Sequence, residues 1–81
     1  MPTVLRIGPY RIGFYAADAA EPPHVHVKHG QSHMKIWLEQ DVRVAFIRGF
    51  ADHEANFVRR LVVENRGFLL EQWNEFFRHT R

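Results

Sequence analysis

Six histidines stand in this 81-residue chain, and two of them share one short run, Pro22-Pro23-His24-Val25-His26-Val27. Successive side chains of a strand point to opposite faces, so histidines two apart put both imidazoles on the same face. Three uses of such a pair are open. Two same-face imidazoles could chelate zinc at about 2.0–2.1 Å, with His33 as the nearest third ligand. Lys28 and Lys35 argue against this, because cationic neighbours repel a cation; Asp18 or Glu21, from the preceding loop, would have to supply a carboxylate. In the second use the pair and its basic neighbours bind a polyanion. As acid and base on a ribose 2′-hydroxyl and its phosphodiester, the same pair could cleave RNA without a metal. In the third the histidines are structural, capping the Pro-Pro loop or covering Trp37, or they belong to a protein-binding surface.

The choice depends on the elements that hold the pair. Thr3–Ile7 and Tyr10–Ala16 flank Gly8-Pro9 and read as a first hairpin; residues 17–23 read as a loop stiffened by two prolines. His24–His29 and Ser32–Glu39 flank Gly30-Gln31, and a leading glycine suits a type II′ turn. A last strand is predicted over Val42–Arg48. A two-residue turn at Gly30-Gln31 pairs Val27 with Met34, Val25 with Ile36, Lys28 with His33, His26 with Lys35 and His24 with Trp37. Apolar then meets apolar and polar meets polar, and a one-residue slip would scramble both faces. A three-residue loop next pairs Leu38 with Val42 and Ile36 with Val44, bringing Arg43 near Trp37. One sheet face thus carries Val25, Val27, Met34, Ile36, Leu38, Val42, Val44 and Phe46 as the core side. The other, expected to be solvated, carries His24, His26, Lys28, His33, Lys35, Trp37 and Arg43.

After Gly49-Phe50 the periodicity becomes helical, over residues 52–79, with Ala51 or Asp52 as N-cap and with Asp52 and Glu54 suiting the positive helix start. Positions 55, 58, 62, 65, 69, 73 and 76 form one stripe, and its phase survives Asn65-Arg66-Gly67. One long helix and a kinked or broken pair therefore both fit, since a mid-helix glycine costs about 1 kcal/mol. Phe57 and Phe68 fall off the stripe, which points to packing under a sheet edge or to a homodimer contact. Arg59-Arg60 reads as a solvated helix face, and Trp73, Phe76 and Phe77 as core. His29, at a turn, His79, at the chain end, and His53, against the helix dipole, are poor ligand candidates.

Composition narrows the class. At 46% hydrophobic and 14% aromatic the chain is not disordered. It has no cysteine, so disulfides and thiolate metal sites are excluded, and an intracellular setting is expected for so small a domain. The Met-Pro-Thr-Val start lacks a cationic region followed by a long apolar stretch, so neither a signal peptide nor a membrane span is expected. The formal charge of +2 is too small to establish nucleic-acid binding, so charge distribution matters more than the total.

Several motifs are similar to a family of small bacterial proteins known as domain of unknown function 4160. They are Met-Pro-Thr-Val at the start, Tyr10-Arg11, Phe14-Tyr15, the Glu21-Pro22-Pro23-His24-Val25-His26-Val27 run, Lys35 with Trp37-Leu38, Arg48-Gly49-Phe50, Glu64-Asn65-Arg66, and Leu69-Leu70 with Trp73 and Phe76. The resemblance implies a cytoplasmic bacterial protein, often encoded beside another small protein in a toxin–antitoxin-like pair. The chain departs from the family pattern at Ala51, where serine is usual.

The expectation is a single α+β domain over residues 1–81, a five-stranded, mainly antiparallel sheet with the C-terminal helical segment on one face. Its leading function is that of a small binding module presenting His24, His26, Lys28, His33, Lys35, Trp37 and Arg43 to nucleic acid or to an acidic partner protein. A metal-independent ribonuclease using His24 and His26, and a zinc-binding domain through the same pair, are the alternatives. No cofactor is implied and no metal ligand is assigned.

Overall fold

The computed structural model describes residues 1–78. Five antiparallel strands lie side by side in chain order: β1 (Thr3–Ile7), β2 (Tyr10–Gly13), β3 (His24–His29), β4 (Ser32–Trp37) and β5 (Arg43–Arg48). Helices α1 (Asp52–Glu64) and α2 (Arg66–Arg78) follow. The β1–β2 and β3–β4 turns are tight because Gly8 and Gly30 take φ values of +54° and +60°, where a side chain would be strained.

The β3–β4 register follows the alternation of the sequence: His24 faces Trp37, Val25 Ile36, His26 Lys35, Val27 Met34 and Lys28 His33. On β5, Val44 faces Ile36 and Arg43 faces Trp37, as the loop length requires. Beyond that point the ladder shifts. A bulge opposite Lys35 and Ile36 places Phe46 against Lys35 and Arg48 against His33. Phe46 therefore leaves the expected core side for the histidine face, where its ring lies 4.9 Å from that of His33.

The helices cover the valine face. Ile12, Phe14, Val25, Val27, Met34 and Ile36 from the sheet and Val58, Val62, Leu69, Trp73 and Phe77 from the helices form one buried cluster. Phe14 sits at its centre, with its ring 5.2 Å from Trp73 and 5.1 Å from Phe76. The helical stripe holds its phase through residue 73, but Phe77 rather than Phe76 is fully enclosed in the last turn. Two helices form, and the break is at Asn65 rather than at Gly67. Asn65 leaves helical geometry at φ −108°, ψ 13°, and its Nδ2 donates to Leu61 O at 2.8 Å. Gly67 falls in the first turn of α2, where helix-interior costs are small. Ala51 is the N-cap of α1 and makes no side-chain cap bond.

Two arginines tie the helices to the connection between β4 and β5. Arg59, expected only to face solvent, donates through Nε to Val42 O at 3.1 Å, and Arg66 donates through Nε to Glu39 O at 3.0 Å. Phe57 and Phe68 are both close to half exposed, and the Phe57 ring lies 6.2 Å from Tyr10. His79 lies outside the described residues.

Candidate functional site

The segment between β2 and β3 decides what the histidine face is. Tyr10–Ala16 is not all strand: the ladder stops at Gly13, and Ala16–Ala20 forms a 3-10 turn within the expected loop. Asp18 stabilises the turn by accepting the Tyr15 N–H at 2.7 Å through Oδ2. The Pro22-Pro23 stretch then returns the chain to β3, and the Pro23 carbonyl accepts the Leu38 N–H at 3.0 Å. This path lays Asp18 over the start of β3.

His24 and His26 are consequently buried, at 0% and 7% exposure, which corrects the expectation of an open platform. Trp37 from β4 and Trp73 from α2 flank the His24 ring at 5.3 Å and 5.2 Å, and Tyr15 lies 4.9 Å from the His26 ring. The His24 Nδ1–H donates to the Pro22 carbonyl at 2.9 Å. A carbonyl only accepts, so Nδ1 carries a proton, and a ring with a single proton has its lone pair on Nε2. That Nε2 lies 3.3 Å from Asp18 Oδ2, and His26 Nε2 lies 3.2 Å from the same oxygen. Both Nε2 atoms are buried and neither makes a hydrogen bond of acceptable geometry. His26 Nδ1 is 2.8 Å from His33 Nε2, one proton being shared between them. Burial pushes the His26 pKa down to about 4, against the opposing pull of Asp18, so the ring is neutral at pH 7.

The remaining expected site residues divide by partner. Lys28 donates to the Tyr15 hydroxyl. Lys35 is paired with Glu21 at 2.5 Å and lies over the Trp37 ring at 4.5 Å. Arg43 is paired with Glu39 at 3.0 Å. His33 is half-buried, and its pKa is lowered first by burial and then by Lys28 and Arg48. Of the seven residues, then, His24, His26 and His33 form a connected cluster, Trp37 packs on it, and Lys35 and Arg43 are already neutralised by carboxylates.

A second constellation was not anticipated. The ladder aligns Arg6 with Arg11, Arg11 with Lys28, Lys28 with His33, and His33 with Arg48. These five residues make one row on the histidine face, crossing every strand. Arg6, Arg11 and Arg48 are exposed, and none of them has an ion pair or side-chain hydrogen bond among the described residues. The first hairpin's two-residue turn carried the signal for Arg6 and Arg11. Arg48 was hidden, because an unbulged register would have set Ile47 there. Two surface hollows lie elsewhere, along α1 beside Phe57 and Arg60.

The family model described as Domain of unknown function (DUF4160) matches residues 10–74, and the chain belongs to that family. No curated protein and no solved structure matches it.

Proposed function

We propose that this member of the DUF4160 family binds a nucleic-acid strand along the row Arg6, Arg11, Lys28, His33 and Arg48. The observation behind this reading is the alignment of five basic side chains across five strands with no carboxylate among them. With strands about 4.7–4.9 Å apart, the row is about 19 Å long, enough to follow several consecutive phosphates. A sheet surface of this kind suits an extended single strand. The exposed Phe46 in the adjacent row offers a face on which a base can stack. Contacts to phosphate carry no sequence information, so binding is expected to be tolerant of sequence.

The seven residues expected from the sequence enter this reading unequally. Lys28 and His33 belong to the row, whereas His24 and His26 lie beneath the Ala16–Ala20 turn. RNA cleavage gains no support, because acid–base chemistry on a ribose needs imidazoles that reach the substrate and His24 is fully enclosed.

Binding of a fluorescently labelled single-stranded RNA, followed by anisotropy in chelator, tests the proposal. Four fixed cations and a single-strand slope of about −0.7 per phosphate contact predict a log–log salt slope of about −2.8. The expected loss between 50 and 200 mM salt is about 50-fold. Salt-independent binding, or equal competition by a polyglutamate peptide of matched charge, would overturn the nucleic-acid reading.

A further inference from the structure

We infer that Asp18, His24 and His26 form a site for one divalent transition-metal ion of the zinc class, bound by the two Nε2 atoms and one carboxylate oxygen. The three side chains each present one ligand atom, and all three atoms lie within 4.8 Å of one another. Ligands about 2.0–2.1 Å from a tetrahedral ion are separated by about 3.3–3.4 Å. The two Nε2-to-Oδ2 distances, 3.3 Å and 3.2 Å, match that edge. The cluster is not a surface coincidence. His24 is completely buried, and its Nε2 and that of His26 are unbonded atoms aimed at a carboxylate.

The tautomers fit as well. Metal-binding imidazoles commonly donate their other ring N–H to a carbonyl, a carboxylate or a similar acceptor, which fixes the ring and raises the basicity of the ligand nitrogen. His24 does so to Pro22 O, and His26 Nδ1 has His33 Nε2 as its acceptor. With His26 Nε2 on a metal, the shared proton resides on His26 Nδ1. In the tautomer with the shared proton on His26 Nδ1, two nitrogen lone pairs and the Asp18 carboxylate oxygen converge on one point, and an ion with two nitrogen positions and one oxygen position fits between them. Imidazole ligands select against magnesium and calcium, which prefer all-oxygen shells.

The sequence-based objection, repulsion by Lys28 and Lys35, is answered by their partners. Lys35 is held by Glu21, and Lys28 is turned to the Tyr15 hydroxyl. Three protein ligands leave one position of a tetrahedral ion for water or another small ligand. The site lies at the Pro-Pro end of β3, whereas the basic row crosses the same strand at Lys28; the two share only His33, which is not one of the row's four fixed cations.

Calorimetric titration of untagged, chelator-stripped protein with Zn2+ tests the site. One ion per chain is expected. Asp18→Asn and His26→Gln should each weaken binding at least about 100-fold, more than the 10–100-fold typical of losing an outer-shell partner. Because either variant could disturb the Ala16–Ala20 turn, nitrogen NMR of the unaltered protein provides a second readout. Zn2+ should shift the Nε2 resonances of His24 and His26 while those of His29 and His53 stay in place. No binding at millimolar Zn2+, unchanged binding in both variants, or shifts confined to the exposed histidines would each overturn the inference. RNA binding measured in chelator is unaffected by any of these outcomes.

Discussion

Replacing Arg6 and Arg11 together by glutamine separates a functional basic row from a merely solvated one. Both side chains are exposed and without partners among the described residues, so the substitutions should leave stability within about 0.5 kcal/mol of the parent. On a single strand each lost phosphate contact removes about 0.7 from the salt slope, taking it from about −2.8 to about −1.4. The same relation, referenced to 1 M salt, makes the double variant about 25-fold weaker at 100 mM and about 10-fold weaker at 200 mM. The assay is anisotropy of labelled RNA across that salt range at constant pH. Arg43→Gln provides the contrast. That guanidinium is already paired with Glu39, so its loss should alter the slope by much less. An unchanged slope in the double variant, or an equal change in Arg43→Gln, would refute the argument that the unpaired row carries binding.

Other consequences concern stability. In chelator, His26 has a folded pKa of about 4. The unfolded chain takes up a proton near 6.5, so stability is full above that value and falls as the pH drops toward 4. The loss amounts to about 2 kcal/mol at pH 5. Urea titrations at pH 7.5 and pH 5 read it directly, and a pH-independent midpoint over that interval would contradict it. Ala51→Ser should raise stability by about 0.5–2 kcal/mol by capping the first turn of α1, seen as a higher Tm; no gain would mean that Asp52 and Glu54 already satisfy that terminus. Phe14→Ala empties the centre of the core and should cost about 3–5 kcal/mol. That approaches the total stability of about 4–12 kcal/mol expected for a chain of this length, so loss of the cooperative thermal transition is the expected readout.

The readable parts of this molecule were those governed by local alternation. The Gly30-Gln31 turn and the polar–apolar alternation of its flanking runs left only one register that keeps both faces consistent, and the β3–β4 ladder has it. Phe46 was misplaced because a bulge inserts one residue without a distinctive signature, and every residue beyond it changes face. One long helix and a break at the residue with the weakest propensity, Gly67, both fitted the periodicity. The break occurs instead at Asn65, whose side chain competes for the Leu61 carbonyl. Asp18 was the hardest to place. Its role depends on how residues 14–23 fold back across the sheet, and only tertiary packing sets that path. The expectation of an exposed histidine face failed for the same reason. Strand periodicity says which side of a sheet a residue is on, but not what else in the chain comes to lie there.

The cover formed by Ala16–Ala20 has a kinetic meaning as well as a structural one. The lone pair of His24 is oriented by the Pro22 carbonyl before anything arrives, yet it faces inward under the turn. A ring with no exposed surface exchanges its proton with water only through a local opening, so slow exchange of the His24 Nδ1 proton is the expected signature of this cover. The cover is five residues held at one end by the Asp18–Tyr15 hydrogen bond. Loosening that hydrogen bond would speed such exchange and would also free the oxygen that faces both Nε2 atoms, so the cover and the proposed ligand set are tuned by one contact.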